Sequence, residues 1–164
     1  MASFVIRPMT AADASAVAAW RYPEPYAFYD WDQDADDLAE LLDPSEWGRR
    51  YFAADAADGS LAGLFVFSVN GDGAAEIGLG LRPDLTGRGL GTTFVDAGMR
   101  FAADALGARS YALAVAAFNG RAIAVYERCG FREVEQYLHA TNGGFHPFVR
   151  MTRGPLAPGR PSSG

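Results

Sequence analysis

The sequence predicts a single α/β domain over residues 1–153, and three observations carry that expectation. Its 164 residues, 49% of them hydrophobic, suit one compact core. Short strand-like runs of apolar residues are interleaved with four helical segments. Turn signals at Asp58-Gly59, Asn70-Gly71-Asp72-Gly73 and Asn142-Gly143-Gly144 separate neighbouring strands. Residues 154–164, rich in Pro, Gly and Ser, are expected to form a disordered tail.

The elements follow in order. Residues 3–7 alternate and stop at Pro8, giving a first strand. Thr10 caps an alanine-rich helix through Trp20. Pro23 and Pro25 forbid regular helix over 21–31, while Tyr22, Tyr26, Phe28, Tyr29 and Trp31 supply the aromatic area of a structured loop. Residues 34–43 read as a short helix whose acidic first turn suits the positive end of the helix dipole, and Pro44 ends it. Strands at 50–55 and 61–70 flank Asp58-Gly59 as a hairpin, and another strand covers 75–81. The next helix reaches about Leu106, with Leu90, Phe94, Ala97, Phe101 and Ala105 on its apolar face and Thr93, Asp96, Arg100 and Asp104 opposite. A buried strand at 110–116 precedes a helix capped by Asn119 and running to Cys129, with Gly130 at the left-handed cap position. Strands at 132–138 and 145–151 complete the order.

Composition excludes several classes of function. A net charge of -6 argues against an electrostatic nucleic-acid footprint. No leader-like N-terminus or run of 18 apolar residues occurs, so the expectation is a cytoplasmic protein without a membrane partner. Cys129 is the single cysteine, which rules out an internal disulfide, and no Cys/His spacing implies a metal. Both monomer and homodimer remain open.

The chemistry concentrates in Leu81-Arg82-Pro83-Asp84-Leu85-Thr86-Gly87-Arg88-Gly89-Leu90-Gly91, where a strand ends at a proline and three alternating glycines open a helix. Unsatisfied N–H groups at a helix start attract anions, and absent side chains at Gly87, Gly89 and Gly91 would let a phosphate approach the backbone. The lesser alternative is that the glycines merely make a tight turn. A P-loop is excluded because no Gly-Lys-Ser/Thr follows. The dinucleotide fingerprint fits poorly, since the spacing is Gly-x-Gly-x-Gly and 110–116 carries no acid.

A second motif, Ala117-Phe118-Asn119-Gly120-Arg121-Ala122-Ile123-Ala124-Val125-Tyr126-Glu127-Arg128-Cys129-Gly130-Phe131, joins the glycine loop. Together the two segments resemble the GNAT superfamily of N-acetyltransferases, with Asn119, Ala122, Tyr126, Gly130 and Phe131 at the fixed positions of its helix motif. Thr86 departs from the Arg or Gln that usually opens the family's pyrophosphate loop. The run 75–81 looks somewhat like the branch that acetylates ribosomal-protein N-termini.

The resemblance implies a twisted, mostly antiparallel sheet with two splayed parallel strands, flanked by about four helices. It also implies acetyl-CoA as co-substrate and a primary amine as acceptor, on a small molecule or a peptide N-terminus. By the same token Leu79 and Leu81 would bond the pantetheine arm through their backbone. The loop from Thr86 through Gly87, Arg88, Gly89, Leu90 and Gly91 to Thr92 would hold the pyrophosphate. Asn119 is either a pantetheine ligand, a plain N-cap, or both. Tyr126 is the candidate acid for the leaving thiolate, its alternative being an aromatic on the apolar helix face.

Glu76 is the candidate base, or else a rim carboxylate, and a bulge at Gly78 or Gly80 would redirect it. His139 and His146 are further candidates for that role. Cys129, in the last helical turn where the dipole opposes a thiolate, reads as structural, which favours direct transfer over a covalent intermediate. On the acceptor side, Tyr26, Tyr29 and Trp31 are candidate pocket walls or local core. Asp30, Asp32, Asp34, Asp36 and Asp37 either attract a cationic amine or form a solvated helix start. A catalytically silent acyl-CoA-binding module is the alternative to an enzyme.

Overall fold

The computed structural model describes residues 3–156. Its strands are β1 (Phe4–Pro8), β2 (Tyr51–Ala56), β3 (Leu61–Val69), β4 (Ala74–Leu81), β5 (Ser110–Ala116), β6 (Arg132–Thr141) and β7 (Gly144–Arg153). Its helices are α1 (Ala11–Ala18), α2 (Ala35–Leu42), α3 (Gly91–Leu106) and α4 (Gly120–Arg128). The strands form one sheet in the order β1-β2-β3-β4-β5-β7-β6, antiparallel throughout except between β4 and β5. This is the mixed sheet that the family likeness implied. The aromatic loop folds into single turns of 3-10 helix at Tyr26–Tyr29 and Trp31–Gln33.

The parallel pair is short. Only Ala74, Ala75 and Glu76 pair with Ser110, Tyr111 and Ala112, after which the strands part. Each keeps its other neighbour to the end, since Leu81 still pairs with Gly63 and Ala116 with Phe148. A gap therefore opens in the middle of a sheet that is continuous on either side.

Period-two alternation sends the two faces of the sheet into separate cores. On one face Phe65, Phe67, Ile77, Leu113 and Met151 pack with Phe94, Met99 and Ala102 of α3. On the other, Leu64 and Tyr51 pack with Val17 of α1, Leu41 of α2 and Trp47. The buried stripe of α3 is Phe94, Val95, Gly98, Met99 and Ala102, rotated from the expected one. Gly98 explains the shift: a Cβ there would lie 2.3 Å from the Phe65 ring, so the helix rests on the sheet at its glycine.

Thr10 closes a capping box with Asp13 at the start of α1. Asp13 also accepts two hydrogen bonds from the Arg7 guanidinium, at 2.6 and 3.0 Å, while Asp55 of β2 accepts two more from it. These bonds hold the Asp13 carboxyl below its usual 3.8, against burial that acts in the opposite sense. Arg7→Ala is expected to cost about 1–2 kcal/mol, less than for a fully buried network because Arg7 is a third exposed. A depressed carboxylate stabilises the fold above its unfolded pKa, and that contribution is lost as pH falls through the folded value. Urea denaturation should therefore show the gap between wild type and variant at pH 7 closing below about pH 4.

Of the expected tail, Gly154 to Leu156 stays on the body. Arg153 donates to the carbonyls of Gly154 and Pro155, and Leu156 packs against the larger core. Residues 157–164 lie outside the described residues. Among those described, no helix is long and apolar enough to cross a membrane.

Candidate active site

The flanking hydrogen bonds of β4 define the gap. Asn70 N–H donates to the Ala74 carbonyl and Arg82 N–H to the Ala62 carbonyl, so even-numbered residues of this strand turn their main chain toward β3. The odd-numbered residues must turn theirs toward β5. Past Glu76 that neighbour is gone, which leaves main-chain groups of Ile77, Leu79 and Leu81 facing the opening. The Leu81 carbonyl is already used, because the Tyr22 hydroxyl donates to it at 2.6 Å. A cavity of about 890 Å³ occupies the opening and extends over the glycine loop, the start of α3 and the inner face of α4.

The three glycines of the loop do different work. Gly87 and Gly89 have φ of +72° and +76°, conformations that side-chain-bearing residues avoid. A Cβ on Gly89 would meet nothing within 4 Å, so its bare face borders open space. Gly91 departs from the expected phosphate approach: its missing side chain lies 3.0 Å from Val125, letting α3 and α4 pack closely. Leu90 stands at the N-cap of α3 without a side-chain cap, and the first helical bond joins Phe94 N–H to its carbonyl. Among the described residues the N–H groups of Gly91, Thr92 and Thr93 thus have no capping side chain, a ready anion site. The Thr86 hydroxyl donates to the Pro83 carbonyl at 2.7 Å, which closes the preceding turn. Arg88 is exposed on the loop.

Arg121 is the residue that sequence reasoning passed over. It sits in the first turn of α4, with one guanidinium nitrogen 3.5 Å from where a Gly87 Cβ would be, and its guanidinium lies 4.1 Å from the centre of the Tyr26 ring. Tyr26 therefore belongs to the glycine-loop end of the cavity, holding a cation beside the uncapped amides. An arginine two positions after a helix N-cap was the available signal.

Asn119 is buried and bonded at both ends of its amide. Its Oδ1 accepts from Ala122 N–H at 3.1 Å as the N-cap of α4, and its Nδ2 donates to the Tyr29 hydroxyl at 3.1 Å. The same hydroxyl accepts from Ala116 N–H, which fixes Tyr29 at the end of β5. Tyr126 projects from α4 into the cavity, its ring edge-on to Phe131 at 6.1 Å. Its hydroxyl has no protein partner among the described residues, and burial pushes its pKa well above the ordinary tyrosine value. Cys129 is half-buried, its Sγ 3.7 Å from the Thr92 carbonyl, and burial raises the thiol, so it rests protonated.

Glu76 lies on the cavity rim. The β3–β4 register has no shift at Gly78 or Gly80, so Glu76 stays on their face, where its carboxylate pairs with Arg150. His139 also lines the cavity, against Phe148 at 4.8 Å, whereas its cross-strand neighbour His146 packs on Phe28. Trp31 lines the cavity and packs against the smaller core.

The acidic run separates into distinct duties. Asp34 caps α2 and accepts from Thr141 and Asn142 of the β6–β7 turn, while Asp32 pairs with Arg21. Asp30 is buried and accepts from Tyr22 N–H. Asp37 lines the cavity, its carboxyl raised by burial and by the nearby Asp34 and Glu40. Among the described residues no group of three or more His, Cys, Asp or Glu has the arrangement to hold a metal.

A splayed strand pair leading to the uncapped start of a helix agrees with the family comparison: residues 3–132 match the acetyltransferase (GNAT) domain. The chain belongs to that family. It is 42% identical over 77 residues to a mycothiol acetyltransferase of Clavibacter michiganensis subsp. michiganensis, and 40% identical over the same length to that of Clavibacter sepedonicus. Those matches cover 47% of this chain and 25% of each relative, so the chain spans about a quarter of their length. Among solved structures, the fold is similar to the spermidine N-acetyltransferase of Vibrio cholerae in complex with CoA and spermine. The TM-score is 0.75, with 21% identity over 93% of this chain and 96% of that one. A chimera of that enzyme with hSSAT gives 0.76 and 23%, over 93% and 95%. At such identities the likeness is one of fold.

Proposed function

We propose that this protein transfers an acetyl group from acetyl-CoA directly to a primary amine of a small molecule or a peptide N-terminus. The observation that carries the reading is the open gap between β4 and β5, which ends at uncapped amides behind a glycine with no neighbour on its bare face.

Bound in the gap, acetyl-CoA would supply the thioester whose C–S bond breaks as the C–N bond forms. The amides of Gly89 to Thr93, with Arg88 and Arg121, hold the pyrophosphate. Leu79 and the Leu81 N–H offer main-chain partners to the pantetheine amides. The Tyr126 hydroxyl, kept protonated by burial, gives its proton to the departing sulfur. Glu76 takes the proton the amine must lose. Asp37 and Asp30 at the other wall favour an approaching ammonium.

A second reading has one observation behind it: Glu76 is tied to Arg150, as in a module that binds acyl-CoA without turning it over. Thiol release from acetyl-CoA across a panel of amines and peptides separates the two. Stoichiometric acetylated product with at least one acceptor class is the expected result. Failure of every acceptor at saturating cofactor would establish the silent binder.

A further inference from the structure

A second cavity, of about 1010 Å³, lies at the end of the sheet away from the glycine loop, where β4 and β5 begin. Ser68 and Glu76 line both cavities, so the two adjoin at the carboxylate assigned to the amine's proton. Their charge balance differs. Asp30, Asp34 and Asp37 line the first, together with Arg121 and Arg128 of α4, whereas Arg49, Arg50, Arg150 and Arg153 line the second, in a chain of net charge -6.

The positive charge of the second cavity is poorly neutralised. Glu76 is the sole carboxylate among its lining residues, and it is shared with Arg150, which also faces Glu135 across the β6–β7 pair. Arg50 reaches Glu40 only at 3.5 Å, and Arg49 has no ion pair among the described residues. Arg153 is bound to the carbonyls of Cys129, Gly154 and Pro155, so no carboxylate offsets its charge. Donors therefore outnumber acceptors here, the condition an anionic ligand relieves.

We propose that this cavity is the anion subsite of the acceptor groove: it takes a carboxylate carried at the far end of the amine. The inference rests on the acetyl-transfer reading and narrows its substrate class. Acceptors with a free amine and a free carboxylate, such as short peptides, are preferred over the purely cationic polyamines named for the structural neighbours.

The test compares dipeptides and tripeptides with their C-terminal amides, which differ by one charge. For at least one length, kcat/KM should be about tenfold higher for the acid, the worth of a charge-assisted contact. Arg49→Ala should erase that preference while leaving kcat/KM for the amide unchanged. Equal rates for acid and amide at every length would overturn the subsite and leave acetyl transfer standing. If no peptide is acetylated, equilibrium binding to the CoA-loaded protein decides the point. Tighter binding of the acid, lost in Arg49→Ala, supports the subsite although transfer has failed, and equal binding sinks it. Inorganic phosphate serves as the remaining arm. A rise in melting temperature that depends on Arg49, with acid and amide peptides still equivalent, would mean a separate anion ligand and would also refute the proposal.

Discussion

Tyr126→Phe is expected to lower kcat by about 10² to 10⁴ while changing the Kd for acetyl-CoA less than threefold, because the loss is confined to one proton delivered in the transition state. The variant isolates that effect well. No protein group among the described residues bonds the hydroxyl, and phenylalanine keeps the edge-on contact with Phe131, so folding should be untouched. The pH profile adds a second signature. Burial raises the Tyr126 pKa, and an acid must be protonated to act, so the rate should fall only as pH climbs above the ordinary tyrosine value of 10. Steady-state rates from pH 7 to 10.5, with isothermal titration of CoA, check both points. An unchanged kcat would remove Tyr126 from the acid role.

Gly89→Ala should weaken CoA binding by about ten- to a hundredfold, the worth of one or two charge-assisted bonds to phosphate. The added methyl meets no protein atom and stands in open space on a loop that lines the cavity. A positive φ also costs alanine about 1 kcal/mol, which must be separated from the block itself. Gly59→Ala provides that control, since Gly59 has φ +86°, equally open surroundings and a place in the β2–β3 turn outside the cavity. The two variants should lose similar thermal stability, and only Gly89→Ala should lose CoA. A pantetheine fragment without phosphates should bind Gly89→Ala as it binds wild type. Comparable losses for both ligands would mean that the loop has collapsed and that the amides are no anion cradle.

All seven strands and four helices were legible, because each announces itself through nearby residues: alternation, caps at Thr10 and Asn119, glycines at positive φ. What depended on contacts distant in sequence was not. The face of α3 was misjudged because Gly98 is apolar surface only when Phe65, far away in the chain, fills the space above it. The missing side chain of Gly91 looked like room for a phosphate until Val125 filled it, while the Gly91 amide stays at the start of α3. The pairing of Glu76 with Arg150 spans 74 residues, and no local pattern encodes it. Asn119 was readable as a cap, whereas its grip on Tyr29 required the fold. Motif and spacing thus pointed to the candidate site, while tertiary packing decided which of its atoms are already bonded.

The aromatic loop fastens one hydroxyl to each lip of the divided sheet, Tyr22 to the end of β4 and Tyr29 to the end of β5. It works as a spreader bar. Two strands with vacant hydrogen-bonding edges would otherwise gain by zipping together, and the crossbar sets their separation before any guest arrives. The entropic toll of shaping the groove is met during folding, so affinity for the acyl donor should owe little to induced closure.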